Sequence, residues 1–210
     1  MKRILIITFM FLGFLSFAQE FKAEGKTLTG IFEAEGKSKS EIFSIINKWI
    51  SMNYNSSKNV IQMNDSESGT IIVKGINDLK TENEFKKSFP MWGITHNYYT
   101  FRHFIEINVK DNKFRIKYSI LDIISEIPYN DCFNYNCINF SGVEQNVIDT
   151  YNEDADRLLR MGFIGKKKRD DFKSKTKVYL ESVNNIIIDD EKAIMLSIEK
   201  LILSNTKDGW

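Results

Sequence analysis

The sequence predicts an α+β domain, an antiparallel sheet covered on one face by helices, with extra helices after it. Three observations carry this. Residues 101–110 alternate, with Phe101, His103, Ile105, Ile107 and Val109 on one side and Arg102, Phe104, Glu106, Asn108 and Lys110 on the other. After Asp111-Asn112, a pair suited to a two-residue hairpin turn, Phe114, Ile116, Tyr118 and Ile120 alternate against Lys113, Arg115, Lys117 and Ser119. One-sided alternation marks a sheet with one buried face, and the order strand, helix, four strands, then helices segregates the layers.

In chain order, Lys2 and Arg3 precede an apolar run over residues 4–17, and Ser16-Phe17-Ala18 supplies small residues at the third-last and last positions before Gln19. A basic start, an apolar stretch below the roughly 18–20 residues that span a bilayer, and a small-residue site predict a secretory signal peptide cleaved after Ala18. Residues 19–28 read as a mobile leader. Residues 29–35 form a short strand, and Ser38-Lys39-Ser40-Glu41 is a capping box for a helix with Ile42, Ile45, Ile46, Trp49 and Ile50 on one stripe. Residues 59–63 and 70–74 are strands joined by Asn64-Asp65-Ser66-Glu67-Ser68-Gly69, a loop rich in turn formers. Residues 75–100 show weaker periodicity and contain Pro90-Met91-Trp92-Gly93.

The hairpin of residues 101–120 follows, and the sheet-and-helix core is expected to close near residue 126. Residues 127–210 hold an irregular cysteine-containing stretch and C-terminal helices packed on the same domain. Ser141-Gly142-Val143-Glu144 resembles a second capping box, opening a helix to about residue 160. Lys166, Lys167, Lys168 and Arg169 read as a basic link. Phe172, Thr176, Tyr179 and Val183 recur at helical spacing, as do Ile194, Ile198, Leu201 and Ile202 behind an Asp189-Asp190-Glu191 helix start.

Composition narrows the function. The chain has 210 residues with 29 Lys+Arg against 28 Asp+Glu, a net charge of +1. Without Lys2 and Arg3 the mature chain is close to neutral, which does not fit the cationic surface that nucleic acid requires. The expected location is the periplasm or the medium, with no membrane-spanning segment after cleavage.

Taken together, the segments GKSKSEIFSIINKWI, NSSKNVIQMNDSESGTIIVKG and VKDNKFRIKYSILDI, preceded by a signal peptide, resemble an exported bacterial family of unknown function with a TBP-like fold. The features that carry the resemblance are Trp49, the strand of Val60, Ile61 and Gln62, the Asp65 to Gly69 hairpin loop, and Lys110-Asp111-Asn112-Lys113-Phe114-Arg115. The resemblance implies a β-α-β4-α unit. It brings no activity, substrate or catalytic residue, and a shape shared with a DNA-binding protein does not transfer its function.

The candidate sites are few. Cys132 and Cys137 can close a small disulfide loop in an oxidising compartment. A zinc site joining them to His96 and His103 has loose spacing, and His103 alternates with core residues, so no metal or other cofactor is expected. Lys113, Arg115 and Lys117 form a basic row on one strand, with Arg102 and Lys110 across the hairpin and Glu106 opposing them. This row reads either as a solvated face with cross-strand pairs or as a shallow partner surface. Trp92 joins it as a candidate binding residue on a long connection. No nucleophile elbow, HExxH or P-loop appears. The expected function is therefore a non-catalytic exported module that binds a protein or envelope partner through its open sheet face or a loop; the alternative is a periplasmic hydrolase using paired carboxylates.

Overall fold

The structure, a computed structural model, describes residues 20–82, 96–125 and 138–205. The expected signal peptide, Trp92, Cys132 and Cys137 lie outside these residues. The elements are β1 (Phe21–Glu24), β2 (Thr27–Glu33), α1 (Lys39–Asn53), the single turn α2 (Ser57–Val60), β3 (Ile61–Asp65), β4 (Thr70–Glu82), β5 (His96–Lys110), β6 (Lys113–Ser125), α3 (Gln145–Arg160) and α4 (Lys166–Ser204). The strands make one antiparallel sheet in the order β1-β2-β6-β5-β4-β3.

Alternation decides which face is covered. Leu28, Phe32, Ile71, Val73, Phe101, Ile105, Ile107, Phe114, Ile116 and Tyr118 are buried on one side of the sheet, beneath α1 and α4. Phe32 and Phe114 stack there with ring centres 4.9 Å apart. Helix α1 meets this face with the stripe read from the sequence, Ile42, Ile45, Ile46, Trp49 and Ile50. Its capping box forms: the Glu41 amide donates to Ser38 Oγ, and the Ser38 amide donates to Glu41 Oε2 at 2.8 Å.

The β5–β6 turn also anchors this helix start. Asn112, at φ 62°, takes the left-handed conformation that asparagine tolerates. Its Oδ1 accepts from the Gly36 amide at 2.9 Å, while Asp111 Oδ1 accepts from the Lys39 amide at 2.7 Å. One two-residue turn thus registers the central hairpin and holds α1 against it. At the β3–β4 turn, Asp65 Oδ1 accepts from the amides of Glu67 and Ser68; the Ser68 side chain first, and then these amides, hold its carboxyl below the usual range. Gly69 closes that turn at φ 76°, where a Cβ would lie 2.5 Å from the Val109 carbonyl oxygen.

Four expectations are corrected. The leader is not free: residues 21–24 form the edge strand β1, and β2 begins at Thr27, because Phe21 packs edge-on against Phe32. The Ser141 capping box does not form, since Ser141 Oγ accepts from the Gly25 amide and Glu144 Oε1 accepts from Asn139. Helix α3 starts with Glu144 as N-cap and no side-chain cap bond. Residues 166–169 are not a link but the first turn of α4, and α4 runs for 39 residues straight through Asp189, Asp190 and Glu191. That acidic triplet therefore sits mid-helix, where no dipole end accounts for it.

Helix α4 has two tasks. Its first half pairs with α3, where Lys173 Nζ reaches Asp156 Oδ2 at 2.6 Å and Thr176 Oγ1 donates to Asn152 at 3.2 Å. Its second half lies over the sheet and α1, with Met195, Ile198 and Ile202 fully buried. Trp49 Nε1 donates to Ser197 Oγ at 3.0 Å and ties the two helices together. No helix among the described residues is long and apolar enough to cross a membrane.

Candidate functional site

The uncovered face of the sheet carries the basic row. Register partners share a face, so Lys113 lies between Glu33 and Lys110, Arg115 between Ile31 and Asn108, and Lys117 between Thr29 and Glu106. Arg115 donates to Asn108 Oδ1 at 2.6 Å through Nη2, and the same nitrogen lies 3.8 Å from Glu106. Arg102 pairs with Asp122 at 3.3 Å. All five predicted basic residues, Arg102, Lys110, Lys113, Arg115 and Lys117, thus share one face, but Glu33, Glu106 and Asp122 interrupt them. The face carries cross-strand charge pairs rather than a continuous cationic patch.

An apolar strip crosses the same face. Ile72 stands beside Met63 and Glu106, and Phe104 stands beside Lys74, diagonal to both Ile72 and Ile76. Ile76 is 64% exposed, and Met63 and Ile31 are also exposed. Met63, Ile72, Phe104 and Ile76 therefore run obliquely over β3, β4 and β5 among charged neighbours. The sequence reading places the charges and Phe104 on this face but not Met63, Ile72 and Ile76, because the register of β3 and β4 against β5 is set only when the sheet assembles.

The covered face holds a polar cluster that sequence reasoning also missed. Tyr54, just past the end of α1, has its hydroxyl 2.9 Å from His103 Nε2, a bond that either tautomer of the ring supports. The His103 ring lies against the Tyr118 ring, with centres 4.9 Å apart. From α4, Asp190 Oδ2 accepts from Asn77 Nδ2 at 2.7 Å, and Glu191 points inward beside it, 1% exposed. Gly75 makes room for this arrangement: a Cβ there would lie 2.5 Å from His103 Nε2 and 2.7 Å from the Tyr54 ring. Three strands, β4, β5 and β6, and two helix segments thus converge on one largely buried polar centre.

Burial sets its charge state. It pushes the Glu191 carboxyl up to about 9, with the neighbouring charge of Asp190 adding to the effect. It pulls His103 down to about 4, and lifts Tyr54 to about 12. The Tyr118 phenol is pushed up by burial and then by the charge of Glu191; Asn77 opposes this slightly, although its amide is bonded to Asp190 and no hydrogen bond reaches the phenol. At neutral pH the centre therefore holds a protonated Glu191, a neutral His103 and two phenols. Among the described residues no partner reaches Glu191 Oε1 or Oε2, His103 Nδ1 or the Tyr118 hydroxyl.

This set contains the residue types of acid–base chemistry, and a carboxylic acid kept protonated at neutral pH is the form a general acid needs. Its placement opposes that use. His103 is 3% exposed and Glu191, on the inward side of α4, is 1% exposed, so a substrate reaches neither without displacement of the helix. Of the zinc candidates only the His103 side chain is among the described residues, where it bonds Tyr54; Cys132, Cys137 and the side chain of His96 lie outside them, and no group of three or more metal-binding side chains occurs among those described.

The family comparison agrees with the architecture. Residues 29–123 match the family described as a domain of unknown function (DUF4468) with TBP-like fold. Among solved structures, the chain is similar to a DUF4468 family protein from Bacteroides ovatus, with 16% identity over 48% of this chain and 56% of that one and a TM-score of 0.39. It is also similar to a TBP-like protein from Parabacteroides distasonis, with 22% identity over 84% of this chain and 97% of that one, again at a TM-score of 0.39. The chain thus spans little more than half the length of the first of these. No curated protein matches it.

Proposed function

With residues 29–123 carrying a DUF4468 domain of TBP-like fold, we propose that the protein is an exported, non-catalytic module that binds a protein partner on its open sheet face. The observation that carries this reading is the apolar strip of Met63, Ile72, Phe104 and Ile76, on the face opposite the one that α1 and α4 cover. Such a strip, exposed at Met63 and Ile76, half-buried at Ile72 and Phe104 and rimmed by Lys74, Arg102 and Lys117, suits a partner that buries an apolar ridge and meets charges at its margin. Export is supported by the basic start, the apolar run of residues 4–17 and the small residues before Gln19.

Hydrolysis by paired carboxylates has one observation in its favour, the adjacent Asp190 and Glu191. The first is bonded to Asn77 and the second is buried and protonated, so neither is presented to a substrate. The test is crosslinking in cells of the native chain against an Ile76→Asp variant, whose side chain leaves the core untouched. The native chain captures a specific protein and the variant loses it while keeping its circular dichroism spectrum. Recovery of the bait alone, or equal capture by both, defeats the proposal. Mass spectrometry of the captured chain, expected to begin at Gln19, checks export at the same time.

A further inference from the structure

The turn between α3 and α4 is the most cationic part of the described chain. Residues 157–169 include Arg157, Arg160, Lys166, Lys167, Lys168 and Arg169, and no acidic residue. Arg157 is paired with Asp154, and Arg169 with Asp156 and Asp170. Arg160, Lys166, Lys167 and Lys168 are exposed and form no ion pair among the described residues. The three lysines lie in the first turn of α4, where the helix dipole disfavours cations, so the stability of the helix does not account for them.

An ordered apolar apex sits inside this basic collar. The Gly162 amide donates to the Leu159 carbonyl and the Phe163 amide to the Leu158 carbonyl, the paired bonds of a Schellman closure, with Gly162 at φ 76°. Ile164 is tucked under the turn, yet Met161 and Phe163 remain 61% and 57% exposed. The backbone is fixed, so this exposure is a built feature of the hairpin. The apex also stands clear of the sheet: Lys166 lies roughly 36 Å along the helix from Asp190, at about 1.5 Å per residue.

We infer that the α3–α4 hairpin tip docks the protein onto an anionic phospholipid surface, with Met161 and Phe163 entering the headgroup region and Arg160, Lys166, Lys167 and Lys168 meeting the lipid phosphates. Charge complementarity alone suits any polyanion. The pair of exposed apolar side chains at the apex selects the bilayer, because they gain nothing along a nucleic-acid backbone but are removed from water in a membrane interface. This docking does not depend on the open-face reading, since the two surfaces share no residue.

The test uses the full mature chain in sedimentation with vesicles of phosphatidylcholine alone or with added phosphatidylglycerol. Binding is expected only to the anionic vesicles and is expected to weaken with added salt. Reversing three cations in Lys166→Glu/Lys167→Glu/Lys168→Glu is expected to weaken it about a hundredfold, at about fivefold for each cation lost. Acidic residues favour a helix start, so this variant keeps α4, which circular dichroism verifies. Phe163→Ser is expected to lower binding severalfold without changing the salt dependence. Equal binding to neutral vesicles, undiminished binding by the triple variant, or tighter retention on polyglutamate or duplex DNA that ignores Phe163→Ser would overturn the inference.

Discussion

Glu191 is buried where its ionised form has no cation and no hydrogen-bond donor beside it. Its folded pKa of about 9 stands above the ordinary 4.5, so the stability held in its proton is complete below 4.5 and is lost as pH rises through 9. His103 runs the other way: its folded value of about 4 lies below 6.5, so its contribution is present above 6.5 and is lost as pH falls through 4. Between 4.5 and 6.5 the two slopes oppose one another. Above 6.5 only the loss from Glu191 remains. Unfolding free energy is therefore expected to peak on the acid side of neutrality and to fall on the order of 3 kcal/mol toward pH ~9. Glu191→Gln keeps the shape and removes the titration, so denaturant midpoints measured across this range should become nearly flat; a wild-type curve that is itself flat would refute the assigned charge state. None of this was legible in Asp189-Asp190-Glu191 as a string. Acids in a row fit the rule for a helix start, and only the packing of α4 over Asn77 and Tyr118 shows that one of them points inward.

At the scale of elements, local rules succeeded where nothing tertiary competed with them. Ser38 and Glu41 form their reciprocal cap within the first turn of α1, each supplying the partner that the other needs. The identical spacing at Ser141 and Glu144 fails because the Gly25 amide and the Asn139 amide group take the two side chains. Ser38→Ala is accordingly expected to lower stability by about 1 kcal/mol in urea unfolding. The loss should appear as faster amide exchange at the start of α1, near the Asp111-Asn112 turn that grips it. An unchanged midpoint would mean that the turn holds the helix without its cap. The central hairpin was legible for the same reason: alternation from Phe101 to Ile120 is a local pattern that the covered face preserves. The reach of β4 to Glu82 and of β5 back to His96 was not, since these extensions are fixed by pairing with each other and their sequences alternate weakly. Likewise, one continuous α4 was read as two helices, because its apolar stripe changes partner from α3 to the sheet along its length.

Across the whole molecule, the segment that matches the family and the helix that seals it are separate. Residues 29–123 contain most of β2, all of α1 and β3 to β5, and most of β6, while the apolar side of that sheet is closed in part by α4. Met195, Ile198 and Ile202 are each fully buried on it, and Glu191 and Asp190 complete the polar centre with His103, Tyr118 and Asn77. Burial of three such side chains contributes roughly 6 kcal/mol at about 2 kcal/mol each, comparable with the total stability of an ordinary domain. A chain ended after Ile188 retains every strand and α1 but loses these contacts and the Trp49–Ser197 bond. It is expected to show no cooperative thermal transition, to bind a hydrophobic dye, and to lose its near-ultraviolet circular dichroism while keeping much of its far-ultraviolet signal. A cooperative transition in that shortened chain would show that the sheet and α1 form a self-sufficient core. In that case α4 would be an arm laid on a finished domain, and the buried pairing of Asn77 with Asp190 would hold the arm in place rather than hold the fold together.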